Sequence, residues 1–225
     1  MIRAIVFDLD DTLYPENEYV LSGFETVANV IEKKYNICAA KNKLIKLYQQ
    51  DIKNVYNRLL ESENIVYSDE DIKRLIDTYR ENKPASLKTY SGVDEMLKAL
   101  KMRGYLLGII TDGRVRQQNA KLDALNIRQY FDEIIISDSL GGEEFRKPDE
   151  RVFLLMAQRL GVKPSEMVYV GDNPLKDFAI YAKLPIKTIQ IKRGIYTNQA
   201  YKDNILPYAV VEDIRDIEPI VGAME

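Results

Sequence analysis

Five short apolar runs recur along the chain, at residues 2–7, 105–110, 134–136, 167–170 and 186–191. Each is followed within a few positions by Asp, Ser, Thr or Gly. Their β-branched content and nearly unbroken apolarity suit strands buried on both faces, as a parallel sheet requires when helices cover its two sides. Helical patterns separate the later runs. Ser91 is placed to cap a helix with Asp94 three residues on, and Met96, Leu97 and Leu100 face one side of it up to Gly104. Residues 115–125 read as a second helix, with Leu122 and Leu125 inward. Phe153, Met156, Ala157 and Leu160 mark a third, stopped by Gly161. Strands alternating with helices predict a doubly wound α/β sheet.

One segment breaks the alternation. Positions 15–86 carry three apolar stripes at helical spacing and no strand-like run between them. The stripes are Val20, Phe24, Val27 and Ile31; then Leu44, Tyr48, Ile52, Val55 and Leu59; then Ile72, Leu75, Ile76 and Tyr79 behind a cap at Ser68. Three amphipathic helices bury such stripes on one another or on the sheet, so the segment reads as a small helical bundle. The expected division is a core of 1–14 and 87–225 and an inserted domain of 15–86. The insert follows directly on the first strand and is expected to act as a lid over that strand's acidic end, hinged near 14–16 and 84–89.

Composition narrows the chemistry. The 225 residues include no histidine and one cysteine, Cys38. Ser-His-Asp and Cys-His catalysis, His-ligated zinc and an intramolecular disulfide are thereby excluded. Any catalysis rests on carboxylates, lysines, hydroxyls and a hard cation. A net charge of −3 without a long basic run argues against a nucleic-acid partner. No apolar stretch approaches the ~20 residues of a membrane span. Asp8 interrupts the first apolar run, so a secretory signal is not expected there and a cytoplasmic location is. Oligomeric state has no signature in the sequence.

Ligands of open parallel sheets bind beyond the carboxyl ends of the strands. The residues gathered there are Asp8, Asp10, Asp11 and Thr12, then Thr111, Asp112 and Gly113, then Lys147, and last Asp172 and Asp177. Carboxylates crowded together repel by about 4 kcal/mol per pair at 4 Å near a protein surface. A Mg²⁺ ion shared by Asp8 and Asp172 would relieve that repulsion. The Thr111 hydroxyl, the amides of Asp112 and Gly113 before a helix, and the Lys147 ammonium suit phosphate oxygens. A carboxylate nucleophile can form an aspartyl phosphate, dividing one hard step into two easier ones.

In that order, "DLDDT", "TDG", "RKPD" and "VGDNPLKD" resemble the four motifs of the haloacid dehalogenase-like hydrolase superfamily. The helical insert is similar to that superfamily's C1 cap, and the likeness spans nearly the whole chain. It implies that Asp8 is the nucleophile and that Asp10 protonates the leaving oxygen and then activates water. It implies that Thr111 and Lys147 hold the phosphoryl group. Asp8, the Asp10 carbonyl and Asp172 would bind Mg²⁺, with Asp177 behind them. Relatives that cleave carbon–halogen bonds lack the second carboxylate, so Asp10 favours phosphate chemistry. The expected activity is hydrolysis of a small phosphorylated metabolite such as a sugar phosphate or nucleotide. A phosphosugar mutase of the same fold is the alternative, which Thr12 disfavours. A receiver-like signalling protein and a non-catalytic binding protein fit less well, because strand order and intact motifs count against them.

Several residues carry plainer expectations. Thr12 is expected to stabilise the turn after Asp8 through its hydroxyl. Asp11 has no role in the motif. Asp112 stands where relatives often have Asn, and its amide is expected to matter more than its side chain. Tyr14, Tyr19 and Arg193 lie where substrate could be met.

Overall fold

The computed structural model describes residues 1–224. Six strands form one fully parallel sheet: β1 (Ala4–Phe7), β2 (Leu106–Thr111), β3 (Glu133–Ile136), β4 (Met167–Gly171), β5 (Lys187–Ile191) and β6 (Ala209–Val211). Their spatial order is β3-β2-β1-β4-β5-β6. The five predicted runs are the first five strands. β6 escaped prediction because its apolar run, Ala209–Val211, is only three residues long and lies at the edge of the sheet.

The chain forms two compact units, one of Met1–Glu16 with the residues from Lys88 onward, the other of Asn17–Leu87. In the first unit all four residues of β1 are inaccessible, as its central place demands. Ala4 and Val6 join the cluster of Phe153, Met156 and Tyr169, which brings the helix Glu150–Leu160 against one face. Each such side chain contributes about 1.5–3 kcal/mol by leaving water. That helix ends at Gly161, whose φ of 65° is the left-handed conformation a glycine stop supplies. The helix Val93–Met102 starts differently from expectation. Gly92, at φ 86°, is its N-cap residue, and no side chain caps it, so Ser91 does not.

The second unit holds four helical segments rather than three. α1 (Glu16–Tyr35) begins at the end of the first unit and is followed by α2 (Ala40–Gln50), α3 (Val55–Ser62) and α4 (Asp69–Arg80). The stripe from Leu44 to Leu59 is divided: Asp51 is extended, Asn54 is left-handed at φ 51°, and Ile52 between them is 65% exposed. Leu44 and Leu59 still meet in one core with Phe24, Val27, Ile31 and Leu75. Ser68 caps α4 as predicted, in a reciprocal capping box with Asp71.

Candidate functional site

Register places the motifs. Phe7 pairs with Ile109 on one side and Val170 on the other, so Asp8, Thr111 and Asp172 leave the sheet at one edge. β1 sits where successive strands are laid down in opposite directions, toward β2 on one side and β4 on the other. The crevice at such a switch point is where open α/β sheets bind ligands. A cleft of about 150 Å³ opens there, lined by Asp8, Asp10, Asp112, Asp172, Lys176 and others.

Asp8 is 2% exposed, and its amide donates to the Val170 carbonyl at 2.8 Å. One carboxylate oxygen accepts the Leu9 amide and pairs with Lys147 Nζ, each at 2.8 Å; the other lies 3.7 Å from Lys176 Nζ. Burial pushes the Asp8 carboxyl up, but Lys147 and Lys176 outweigh it and hold the group below the ordinary aspartate value. It is therefore ionised. Lys147 is fully buried, with Nζ also 3.0 Å from Asp177 and 2.7 Å from the Tyr169 hydroxyl. Burial pulls its ammonium down, and Asp177 with Asp8 more than reverses that.

Carboxylate oxygens of Asp8, Asp172 and Asp177 lie within 4.8 Å of one another. Burial, then the charges of Asp177 and Asp8, push Asp172 up to about 9. Asp177 is likewise raised by burial, though Lys147 opposes this. Two charged carboxylates packed this closely out of water are unfavourable without a cation, and an all-oxygen donor set suits a hard one. The residues thus fit Mg²⁺. Asp177 also accepts the Asn173 amide at 2.9 Å, and its carboxylate packs on Gly171, where an added Cβ would lie 2.5 Å from Oδ2. Only glycine fits there.

Asp10 is held by residues that spacing alone did not flag. Lys121 Nζ reaches both carboxylate oxygens, at 2.7 and 2.9 Å, while Gln118 Nε2 donates at 3.0 Å and the Tyr14 hydroxyl at 2.6 Å. Gln118 also donates to the Thr111 hydroxyl. Gln118 and Lys121 share a face of the helix Val115–Leu125, because they stand three apart. A buried amide and ammonium beside Leu122 and Leu125 were the available signal. Lys176 was passed over inside a motif already quoted.

Other expectations change. The Asp112 side chain, not only its amide, is engaged: it accepts from Ser137 Oγ at 2.8 Å and the Lys147 amide at 3.1 Å. The Gly113 amide donates to the Asp138 carboxylate rather than standing free for a ligand. The Thr12 hydroxyl is buried without a hydrogen-bond partner among the described residues, so it does not brace the turn. Asp11, left-handed at φ 51°, supplies that bracing, accepting the Glu16 amide at 2.9 Å, the Tyr90 hydroxyl at 3.4 Å and the Ile195 amide. Gly194, at φ 64°, lies so close to Asp11 that a Cβ would collide with the carboxylate. Arg193 stacks on Tyr90 and donates to the Thr12 carbonyl at 3.3 Å, a brace for the same turn. Tyr14 and Tyr19 are buried.

A parallel sheet with a cluster of buried carboxylates at its switch point points to a class of α/β enzymes. The sequence model of the haloacid dehalogenase-like hydrolases matches residues 5–191, and the chain belongs to that family, on its phosphatase side. It is 35% identical to a glyceraldehyde 3-phosphate phosphatase of Methanocaldococcus jannaschii, over 87% of each chain. It is 30% identical to the protein of that name from Methanopyrus kandleri, over 98% of this chain and 97% of the other. YfnB from Bacillus subtilis, solved with magnesium bound, shares the fold at a TM-score of 0.69 and 15% identity, with 98% of both chains covered.

Proposed function

We propose that the chain is a Mg²⁺-dependent phosphomonoester hydrolase that works through an aspartyl phosphate on Asp8. The observation that carries this reading is the ionised, buried Asp8 carboxylate beside Lys147 and within 4.8 Å of Asp172. An Asp8 oxygen attacks phosphorus as the bond to the leaving oxygen breaks, and Asp10 protonates that oxygen. Asp10 then takes a proton from water, which cleaves the acyl phosphate, releases orthophosphate and restores Asp8. The Thr111 hydroxyl and nearby donors orient the phosphoryl oxygens, so that catalysis is mainly positioning and charge stabilisation. Asp8, Asp172 and the Asp10 carbonyl would hold Mg²⁺, which when bound offsets phosphate charge in this acidic cleft. Asp177 would support them from behind, since Lys147 and the Asn173 amide already engage its oxygens.

The similarity to glyceraldehyde 3-phosphate phosphatases makes a three-carbon sugar phosphate the first substrate to try. We assign the helical unit the part of a cap that selects the leaving group. A cytoplasmic location suits such a substrate, and among the described residues no helix is long and apolar enough to cross a membrane. The test is phosphate release from a panel of small phosphomonoesters, with Mg²⁺ and with chelator. Release that depends on Mg²⁺ is expected. Release indifferent to chelator would remove the metal from the reading, and isomerisation without release would identify a mutase.

A further inference from the structure

The cleft beside Asp8 is lined by aspartates and, among the described residues, by one glutamate, Glu16. Most of the aspartates are engaged by the protein: Asp8 by Lys147, Asp10 by Lys121, Asp11 by the Glu16 amide and Asp112 by Ser137. Asp172 belongs to the cluster that fits Mg²⁺. Glu16 is different. Its Oε1 lies 3.6 Å from Lys121 Nζ, longer than a hydrogen bond, and its side chain is 44% exposed. Lys121 is turned instead to Asp10, whose two oxygens it reaches at 2.7 and 2.9 Å. One buried ammonium thus neighbours both carboxylates and sets Glu16 on the Asp10 side of the cleft. The Glu16 backbone is fixed as well, since its amide donates to Asp11 at 2.9 Å. The charge of Asp10, and then burial, push the Glu16 carboxyl up to about 7. A carboxylate held in a cleft at such a cost is a candidate for function.

In the proposed reaction Asp10 meets the departing oxygen, so Glu16 faces the part of the substrate that leaves. We infer that Glu16 selects the leaving group: it accepts a hydrogen bond from a hydroxyl one or two carbons beyond the departing oxygen and disfavours esters that carry a carboxylate there. An ionised carboxylate offers acceptors only, so a hydroxyl satisfies it and a second carboxylate is repelled. The substrate class is then a monoester of a small neutral polyol or hydroxyaldehyde rather than of a hydroxy acid. Glu16 belongs to the first unit, which thus carries a selector of its own. The inference deepens the phosphatase reading and rests on it, and a ranking of substrates separates the two.

The experiment measures kcat/KM for phosphate release by wild type, Glu16→Ala and Glu16→Gln, with Mg²⁺ and at about pH 8.5, where Glu16 is charged. The probes are three-carbon esters: glycerol 3-phosphate with hydroxyls, propyl phosphate with none, and 3-phosphoglycerate with a carboxylate. Wild type is expected to prefer glycerol 3-phosphate to both others. Glu16→Ala should lower the ratio of glycerol 3-phosphate to propyl phosphate about tenfold, the loss of one hydrogen bond to a charged acceptor. Glu16→Gln removes the charge and keeps an acceptor, so it should raise the ratio of 3-phosphoglycerate to glycerol 3-phosphate about fivefold. A merely structural Glu16 would depress all three esters alike. Ratios equal to those of wild type in both variants would overturn the inference and leave the phosphatase reading standing. No release from any ester by wild type would overturn that reading, and the inference with it.

Discussion

Asp10 has four donor contacts from three side chains, which come from two parts of the first unit's framework. Tyr14 lies on the turn after β1, and Gln118 and Lys121 on the helix after β2. In the proposed mechanism Asp10 both gives and takes a proton, which needs a fixed position, and Lys121 supplies the strongest hold. Lys121→Met should lower kcat by about ten- to a hundredfold, a part of what general acid–base catalysis contributes. The loss should be greatest with poor leaving groups, read from a series of aryl phosphates. An equal loss across the series would assign Lys121 a structural part only. Asp138 offers a prediction in pH. The Arg146 guanidinium, gripping it at 2.7 and 2.8 Å, and the Gly113 amide hold its carboxyl below the usual 3.8. A depressed folded value adds stability above the unfolded value and loses it as pH falls through the folded one. Asp138→Asn should therefore cost about 1 kcal/mol at neutral pH and converge with wild type in strong acid, as measured by melting temperature against pH.

The elements that bear motifs were the most legible, because a buried parallel strand needs an unbroken apolar run and a long helix needs a stripe. The helix at 115–125 and the stop at Gly161 matched their predicted places for that reason. What escaped was local. A stripe at helical spacing says nothing about a break inside it, so the turn through Asp51 and Asn54 was hidden between α2 and α3. The three-residue β6 at the sheet's edge has too little buried surface to leave a pattern. Ser68 shows the opposite case, where side-chain chemistry alone marks a boundary. Ser68→Ala should destabilise the protein by about 1 kcal/mol in urea unfolding, and no change would mean that the capping box contributes nothing in context.

At the scale of the molecule, strand order turns scattered motifs into one site. That the acidic residues after β1 and β4 gather at one sheet edge was readable, because each follows an apolar run that had to be a strand. Partners that arrive from other parts of the chain were not readable. Gln118, Lys121 and Tyr169 look like ordinary helix and strand residues until the sheet is assembled around Asp8 and Asp10. The central claim is that Asp8 carries the phosphoryl group, and phosphate release by purified wild type and Asp8→Asn, with Mg²⁺ and a small sugar phosphate, tests it most directly. The account predicts turnover by wild type and a loss of about a thousandfold or more in Asp8→Asn, with the fold intact by circular dichroism. Asp8→Asn turning over at the wild-type rate would contradict it.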